Sequence, residues 1–259
     1  MKKLYSFIAT MVISIVVFGQ VSLTTLNTAY TQNFDGLAST GTGTGTVTTT
    51  GTSGSKVASV ILSGSLSGWY FVETTTNADG VYTASTGSAT AGDTYSYGAS
   101  SSTERALGSI ASGNLLSRYG AQFTNNTGNT IDQLDISYVG EEWRFDPARG
   151  TTIKDQITFE YSTDATSLTT GTWTAVTALL YETTNLTGTV GTRNGNDAAY
   201  RTSLSNTITG INIATGQTFW IRFVDVNVSG TDDGLAIDDF SLTPKNSTLS
   251  VGDVIKSKN

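Results

Sequence analysis

The sequence predicts an all-β protein, a two-sheet antiparallel β-sandwich of jelly-roll type. Three observations predict it. Threonine is used 47 times and proline only twice in 259 residues, and Thr, Val, Ile and aromatic side chains suit a pleated, half-buried surface. Ten short apolar or alternating runs are separated by Asn-Gly, Gly-Asn, Asp-Gly and Ser/Thr clusters, which is turn chemistry. Helical spacing is confined to the N-terminal apolar stretch, so no crossover helices are available for a parallel sheet.

That stretch, MKKLYSFIATMVISIVVFGQ, has a Lys2-Lys3 head, an apolar run over 7–18 and a small residue at Gly19. Residues 1–20 are expected to be a secretory signal peptide, removed near Gly19 or Gln20. The run is short for a bilayer span, and no other stretch approaches that length, so no membrane span is expected after cleavage. Export without a single cysteine points to a bacterial extracellular or cell-surface protein, because small animal secreted domains usually rely on disulfides.

The sandwich is expected over 21–243. YTQNFDGL (30–37) opens it, and the Gly/Ser/Thr-rich 39–55 reads as a low-complexity loop. Strands are then expected at 57–62, 68–74, 94–98, 118–125, 131–140, 141–145, 156–162, 172–176, 218–226 and 235–242. In 131–139, Leu134, Ile136 and Tyr138 are expected in the core, with Asp135, Ser137 and Val139 outward or half-exposed. Residues 244–259 begin with Pro244, turn basic and read as a C-terminal tail or linker. A membrane barrel fits less well, since the alternation is interrupted and no repeated aromatic girdles occur.

Composition excludes several chemistries. Without cysteine there is no disulfide, thiol nucleophile or Cys-ligated zinc, and without histidine there is no Ser-His-Asp triad or His metal site. The net charge is −7 and no basic run interleaves with aromatics, so nucleic acid is not expected as a partner. The glycines of 41–54 repeat as Gly-Thr without a following lysine, which gives no phosphate loop. Glu141 and Glu142 are adjacent on a strand and must diverge, so they cannot flank one glycosidic bond. Glu73, Glu104, Glu160 and Glu182 are isolated, and those near Arg105 and Arg144 read as ion-pair partners. No catalytic set emerges.

The carboxylates point elsewhere. GTDDGLAIDDF (230–240) carries four aspartates, the second pair inside an apolar strand. Strict alternation puts Leu235, Ile237 and Asp239 on one face and Ala236, Asp238 and Phe240 on the other, so one aspartate of the pair should point into the core. A buried carboxylate needs a partner or a metal. Upstream, Asp225, Asn227 and Ser229 followed by Gly230 resemble the alternating start of a calcium loop, although the twelfth position is Ala236 and no helices flank it. The expected site is Ca2+ held by Asp225, Asn227, Asp232, Asp233 and one of Asp238 or Asp239, gathered at one end of the sandwich with 33–36 approaching. A metal-free alternative has Asp238 or Asp239 accept backbone N–H bonds or pair with Arg222, while the other aspartates cap the hairpin.

Trp69, Tyr70, Tyr82, Tyr95, Tyr97, Trp143, Trp173 and Tyr200 offer material for a sugar-stacking platform, although most should be packing residues. Taken together, GWYFVET, GDTYSYG, ERALGS, QFTNNTG, ISYVGEEWR, FEYSTDATSLTTGTWTAV and DDGLAIDDFSLT resemble a jelly-roll module of secreted, Bacteroidetes-type bacterial proteins. The ending LAIDDFSL is similar to the last strand of concanavalin-like and MAM-type sandwiches, and LSVGDVIKSKN resembles the start of a type IX secretion sorting domain. The resemblance spans 30–243 and carries no assigned activity. It implies a secreted binding or adhesion module, with an extracellular polysaccharide or cell-surface component as partner. The alternatives are a carbohydrate-active hydrolase with dispersed carboxylates and a structural surface or filament subunit.

Overall fold

The computed structural model describes residues 19–248 except 184. In chain order the strands are β1 (Val21–Leu23), β2 (Tyr30–Gln32), β3 (Thr42–Gly43), β4 (Thr46–Thr50), β5 (Val57–Ile61) and β6 (Trp69–Thr74). They continue with β7 (Tyr82–Ser85), β8 (Asp93–Tyr97), β9 (Ala106–Ile110), β10 (Leu116–Asn125), β11 (Ile131–Phe145) and β12 (Gln156–Ser162). The last are β13 (Thr174–Ala175), β14 (Tyr181–Glu182), β15 (Gly191–Thr192), β16 (Arg201–Ile213), β17 (Thr218–Asp225) and β18 (Gly234–Lys245).

They form two sheets packed face to face, the expected antiparallel jelly-roll sandwich. Sheet I runs β13-β12-β17-β10-β6-β5-β4, with β1 added on β10 and β14 on β12. Sheet II runs β15-β11-β18-β9-β8-β7-β3, with β16 added on β11 and β2 on β18. Among the described residues only β1 on β10 and β7 on β8 pair in parallel. The core lies between the inner faces, with Trp69, Phe71, Tyr119, Phe123, Phe159 and Phe223 from sheet I meeting Leu107, Ile136, Tyr138, Leu235, Ile237 and Phe240 from sheet II. Aromatic edges and faces interlock there, as in Tyr138 against Phe223 at 4.9 Å and Trp69 against Phe240 at 5.3 Å. Among the described residues no helix is long and apolar enough to cross a membrane.

Several local expectations are corrected. Segment 39–55 is not all loop: β3 pairs with β7, and the exposed β4 pairs with β5 along five residues, because its threonines favour an edge strand. The runs at 131–140 and 141–145 are one continuous strand, β11. Gly140 there breaks nothing; a Cβ on it would meet the Tyr181 ring at 2.3 Å, so it permits close packing. Leu134, Ile136 and Tyr138 are core as expected, but Val139 is buried too. β18 continues through Pro244 to Lys245, two residues into the expected tail, and the rest of that tail past 248 lies outside the described residues, as does 1–18 of the expected signal peptide.

β18 places the functional residues. Ser241 pairs with Ser137 and Asp238 with Val139, so Asp239 and Phe240 together oppose the single residue Tyr138. This is a β-bulge, and Asp239 takes the left-handed conformation with φ 49°. The bulge reverses the phase of the strand: Leu235 and Ile237 point inward before it, Phe240 and Leu242 after it. The neighbour on the other edge changes at the same point, from β9, ending at Leu107 opposite Ile237, to β2, starting at Gln32 opposite Phe240.

Candidate functional site

One aspartate of the pair is buried and the other exposed, as expected, but the bulge keeps the buried one out of the core between the sheets. Asp238 is on the outer face of sheet II and only 4% exposed, whereas the Asp239 side chain is 57% exposed. Asp239 lies 3.4 Å from Arg201 Nη2. Arg222 serves neither aspartate; it is engaged with Glu160 at 2.6 Å.

The structure divides the expected calcium ligands between two places. Asp225, Asp232 and Asp233 come together at the end of the sandwich with Asp155, a residue the sequence did not single out. Asp225 points inward from sheet I and accepts a hydrogen bond from Ser109 Oγ of sheet II at 2.7 Å. Asp155 Oδ2 accepts from the Asp233 backbone N–H at 2.5 Å, Asp233 Oδ1 from the Asp146 N–H at 2.6 Å and Asp232 Oδ1 from the Val228 N–H at 2.9 Å. Burial raises the Asp155 and Asp225 carboxyls, and the neighbouring carboxylates raise them further. Asn227 is exposed, on the rim of a depression shared with Arg144, Asp146 and Asp232. Gly234, next to this group, is separated from Asp238 by about 13 Å of strand.

Asp238 belongs to a second group. Facing it on the outer side of sheet II are Glu141, fully buried, and Glu104, just before β9. One carboxylate oxygen from each of the three lies within 4.8 Å of the others. Trp143 Nε1 donates to Glu141 Oε2 at 2.9 Å, Asn196 Nδ2 donates to Glu104 Oε2, and the Asp239 backbone N–H bonds the Asp238 carboxyl. Burial drives the Asp238 carboxyl up to about 9, with help from the charges of Glu141, Asp239 and Glu104. Burial also drives Glu141 up to about 7, against the Trp143 hydrogen bond and Arg201. Of 33–36, Asp35 Oδ1 accepts from the Arg105 backbone N–H at 3.1 Å, beside Glu104. Arg105 is not the ion-pair partner of Glu104 that its position suggests; its Nε donates to Ser96 Oγ at 2.9 Å.

Glu73, Asp79 and Asp93 make a third close set. Here the oxygens are taken by donors: Glu73 accepts from the Asp79 and Gly80 N–H groups and from Thr94 Oγ1, and Asp93 from Thr83 Oγ1 and the Thr94 N–H. The Glu104 and Glu73 groups are each close enough to hold one metal ion.

The outer face of sheet I carries a groove of about 290 Å³. Tyr70 of β6 and Trp220 of β17 lie in it with ring centroids 4.8 Å apart. Ser59, Gln122 and Thr166–Thr169 supply hydroxyl, amide and backbone groups, and no charged side chain lines it. The loop after β12 forms one wall. Arg222 holds that loop, donating to the Leu168 carbonyl at 2.6 Å while its guanidinium stacks on Trp173 at 3.9 Å. Trp220 Nε1 is buried without a hydrogen-bond partner. Of the aromatics the sequence suggested, Tyr70 and Trp173 are on this face, while Trp69, Tyr82, Tyr95, Tyr97 and Trp143 are buried packing residues. Trp220 and Gln122 were not anticipated.

Neither a protein-family model nor a curated protein matches the chain. Among solved structures it is similar to the carbohydrate-binding module TmCBM61 in complex with β-1,4-galactotriose, at 14% identity over 56% of this chain and 74% of that one, with TM-score 0.31. It is similar to the K3 cleaved adhesin domain of Lys-gingipain from Porphyromonas gingivalis, at 10% identity over 57% and 78% of the two chains, with TM-score 0.36. It is also similar to the CBM22-1–GH10 modules of xylanase 10B from Clostridium thermocellum complexed with xylohexaose, at 13% identity over 58% and 24%, with TM-score 0.28. These neighbours are carbohydrate-binding and adhesin β-sandwich modules.

Proposed function

We propose that the chain is a secreted, non-catalytic glycan-binding module of a bacterial extracellular or cell-surface protein, steadied by calcium. The observation that carries the reading is the groove on sheet I. Sugar rings present apolar C–H faces and hydroxyl edges, and the groove offers the matching groups: the half-buried Tyr70 ring, backed by the buried Trp220, with Gln122, Ser59 and the threonine loop beside them. Because the lining carries no charge, the ligand class is a neutral oligosaccharide rather than a uronic acid or sulfated chain. The groove also lacks a carboxylate pair for hydrolysis, which favours binding over cleavage.

A glycan array probed with the purified chain tests this. Signals on neutral oligosaccharides and none on polyanionic ones are expected. Binding confined to anionic glycans, or to none, contradicts it.

A further inference from the structure

We propose that Glu104, Glu141 and Asp238 hold a Ca2+ ion in the notch where β9 ends and β2 begins beside β18. The inference places the calcium of the reading above at residues other than the expected set, and glycan binding at the groove does not depend on it.

Of the acidic groups among the described residues, this one leaves a buried oxygen without a donor on each of its three carboxyls. At the sandwich end, backbone N–H groups and Ser109 bond the aspartates, leaving one buried oxygen, Asp225 Oδ1, without a donor. In the third set, backbone N–H groups and threonine hydroxyls bond Glu73 and Asp93. In the Glu104 group each carboxyl is anchored by one N–H donor: the Asn196 amide, the Trp143 indole and the Asp239 backbone. Glu104 Oε1, Glu141 Oε1 and Asp238 Oδ1 are buried and accept no hydrogen bond. A buried carboxylate oxygen without a donor is costly, and three together are costlier unless a cation joins them.

The geometry and charge agree. Ca2+ binds oxygens at about 2.3–2.6 Å, so two ligands on opposite sides of one ion lie about 5 Å apart. A 4.8 Å spread therefore fits a single ion. The groups facing the notch are Glu104, Glu141, Asp238, Asp239 and Arg201. Arg201 alone is cationic, 3.7 Å from Glu141 Oε1 on the exposed flank, and with all four carboxyls ionised it leaves an excess of three negative charges. An all-oxygen donor set selects Ca2+ over zinc or copper, and water completes the about six to eight ligands. Asp238 is aimed into the notch by the bulge, which is why the strand carries two aspartates: one adopts the left-handed turn and the other becomes a ligand.

Terbium, which substitutes for Ca2+, gives a site-specific readout, because Trp143 touches Glu141 and can sensitise its luminescence. The full chain should show Trp-sensitised terbium emission that excess Ca2+ abolishes. Glu104→Gln and Asp238→Asn, both close in shape to the native residues, should each lose emission and Ca2+ binding heat. Asp155→Asn, in the other cluster, should retain both. Trp143→Phe should lose emission but keep the calorimetric Ca2+ signal. Unchanged Ca2+ affinity in both Glu104→Gln and Asp238→Asn overturns the placement while leaving a calcium-binding protein. No Ca2+ heat with the native chain overturns the placement and the calcium reading together.

Discussion

Asp238 and Asp239 are adjacent in sequence but occupy opposite environments: Asp238 is buried against Glu141 and Glu104, while Asp239 is exposed beside Arg201. The bulge between them, with φ 49° at Asp239, produces the difference. A β-branched side chain is poorly tolerated in that conformation and glycine is at ease there. Asp239→Gly should therefore stay within about 1 kcal/mol of the native chain, since the pair it loses is exposed. Asp239→Val should cost about 1–3 kcal/mol. Denaturant unfolding of the two variants checks the order; equal stabilities would remove the bulge from the account.

The inner face of β11 gives a second prediction. Ile136 is 2% exposed between the sheets. Ile136→Ala should cost about 2–5 kcal/mol, the range for emptying a packed aliphatic site. A thermal midpoint unchanged from the native chain contradicts the register.

How much of this was legible beforehand depended on whether the signal was local. Strands with apolar alternation, such as β6, β12 and β17, were visible because one face of each is core. β16 was not: its sequence RTSLSNTITGINI alternates Ser, Thr and Asn with few apolar residues, and its place beside β11 is set by pairing. The bulge hid itself, since two aspartates fit simple alternation as well as they fit a phase reversal. Glu104, Glu141 and Asp238 are far apart in sequence, and only the β9–β18–β11 arrangement brings them together. Trp220 looked like one more aromatic in a core strand; the inward set Phe219, Ile221 and Phe223 assigns it to the outer face.

The raised carboxyls predict a pH dependence. Asp238 moves from 3.8 in the unfolded chain to about 9 when folded, and Glu141 from 4.5 to about 7. Between those limits the folded state binds more protons than the unfolded state, so stability is full below about pH 4 for these groups and is lost as pH rises through 7 to 9. With a chelator present, the melting midpoint should fall across that window, and Asp238→Asn should flatten the fall. Added Ca2+ should flatten it as well. A midpoint that rises with pH in the chelated native chain contradicts the raised values.

Arg222 links the outer face of sheet I to its loop. Its fork reaches Glu160 and the Leu168 carbonyl while its plane stacks on Trp173. Arg222→Lys keeps the charge but cannot reproduce the fork or the stack. The loop containing Thr166–Thr169 should become more susceptible to limited proteolysis, and glycan affinity should weaken with it. Cleavage at the native rate would show that the loop is held by other contacts.

The most direct test of the central claim is calorimetric titration of Tyr70→Ala with a neutral oligosaccharide that the native chain binds. Tyr70 is only half-buried, so the substitution removes the ring from the groove at little cost to the core. Loss of one stacking ring should weaken affinity about tenfold or more, the effect of about 1.4 kcal/mol, with the melting midpoint and Ca2+ response of the chain retained. Native affinity in Tyr70→Ala would contradict the assignment of the sheet I groove as the glycan site.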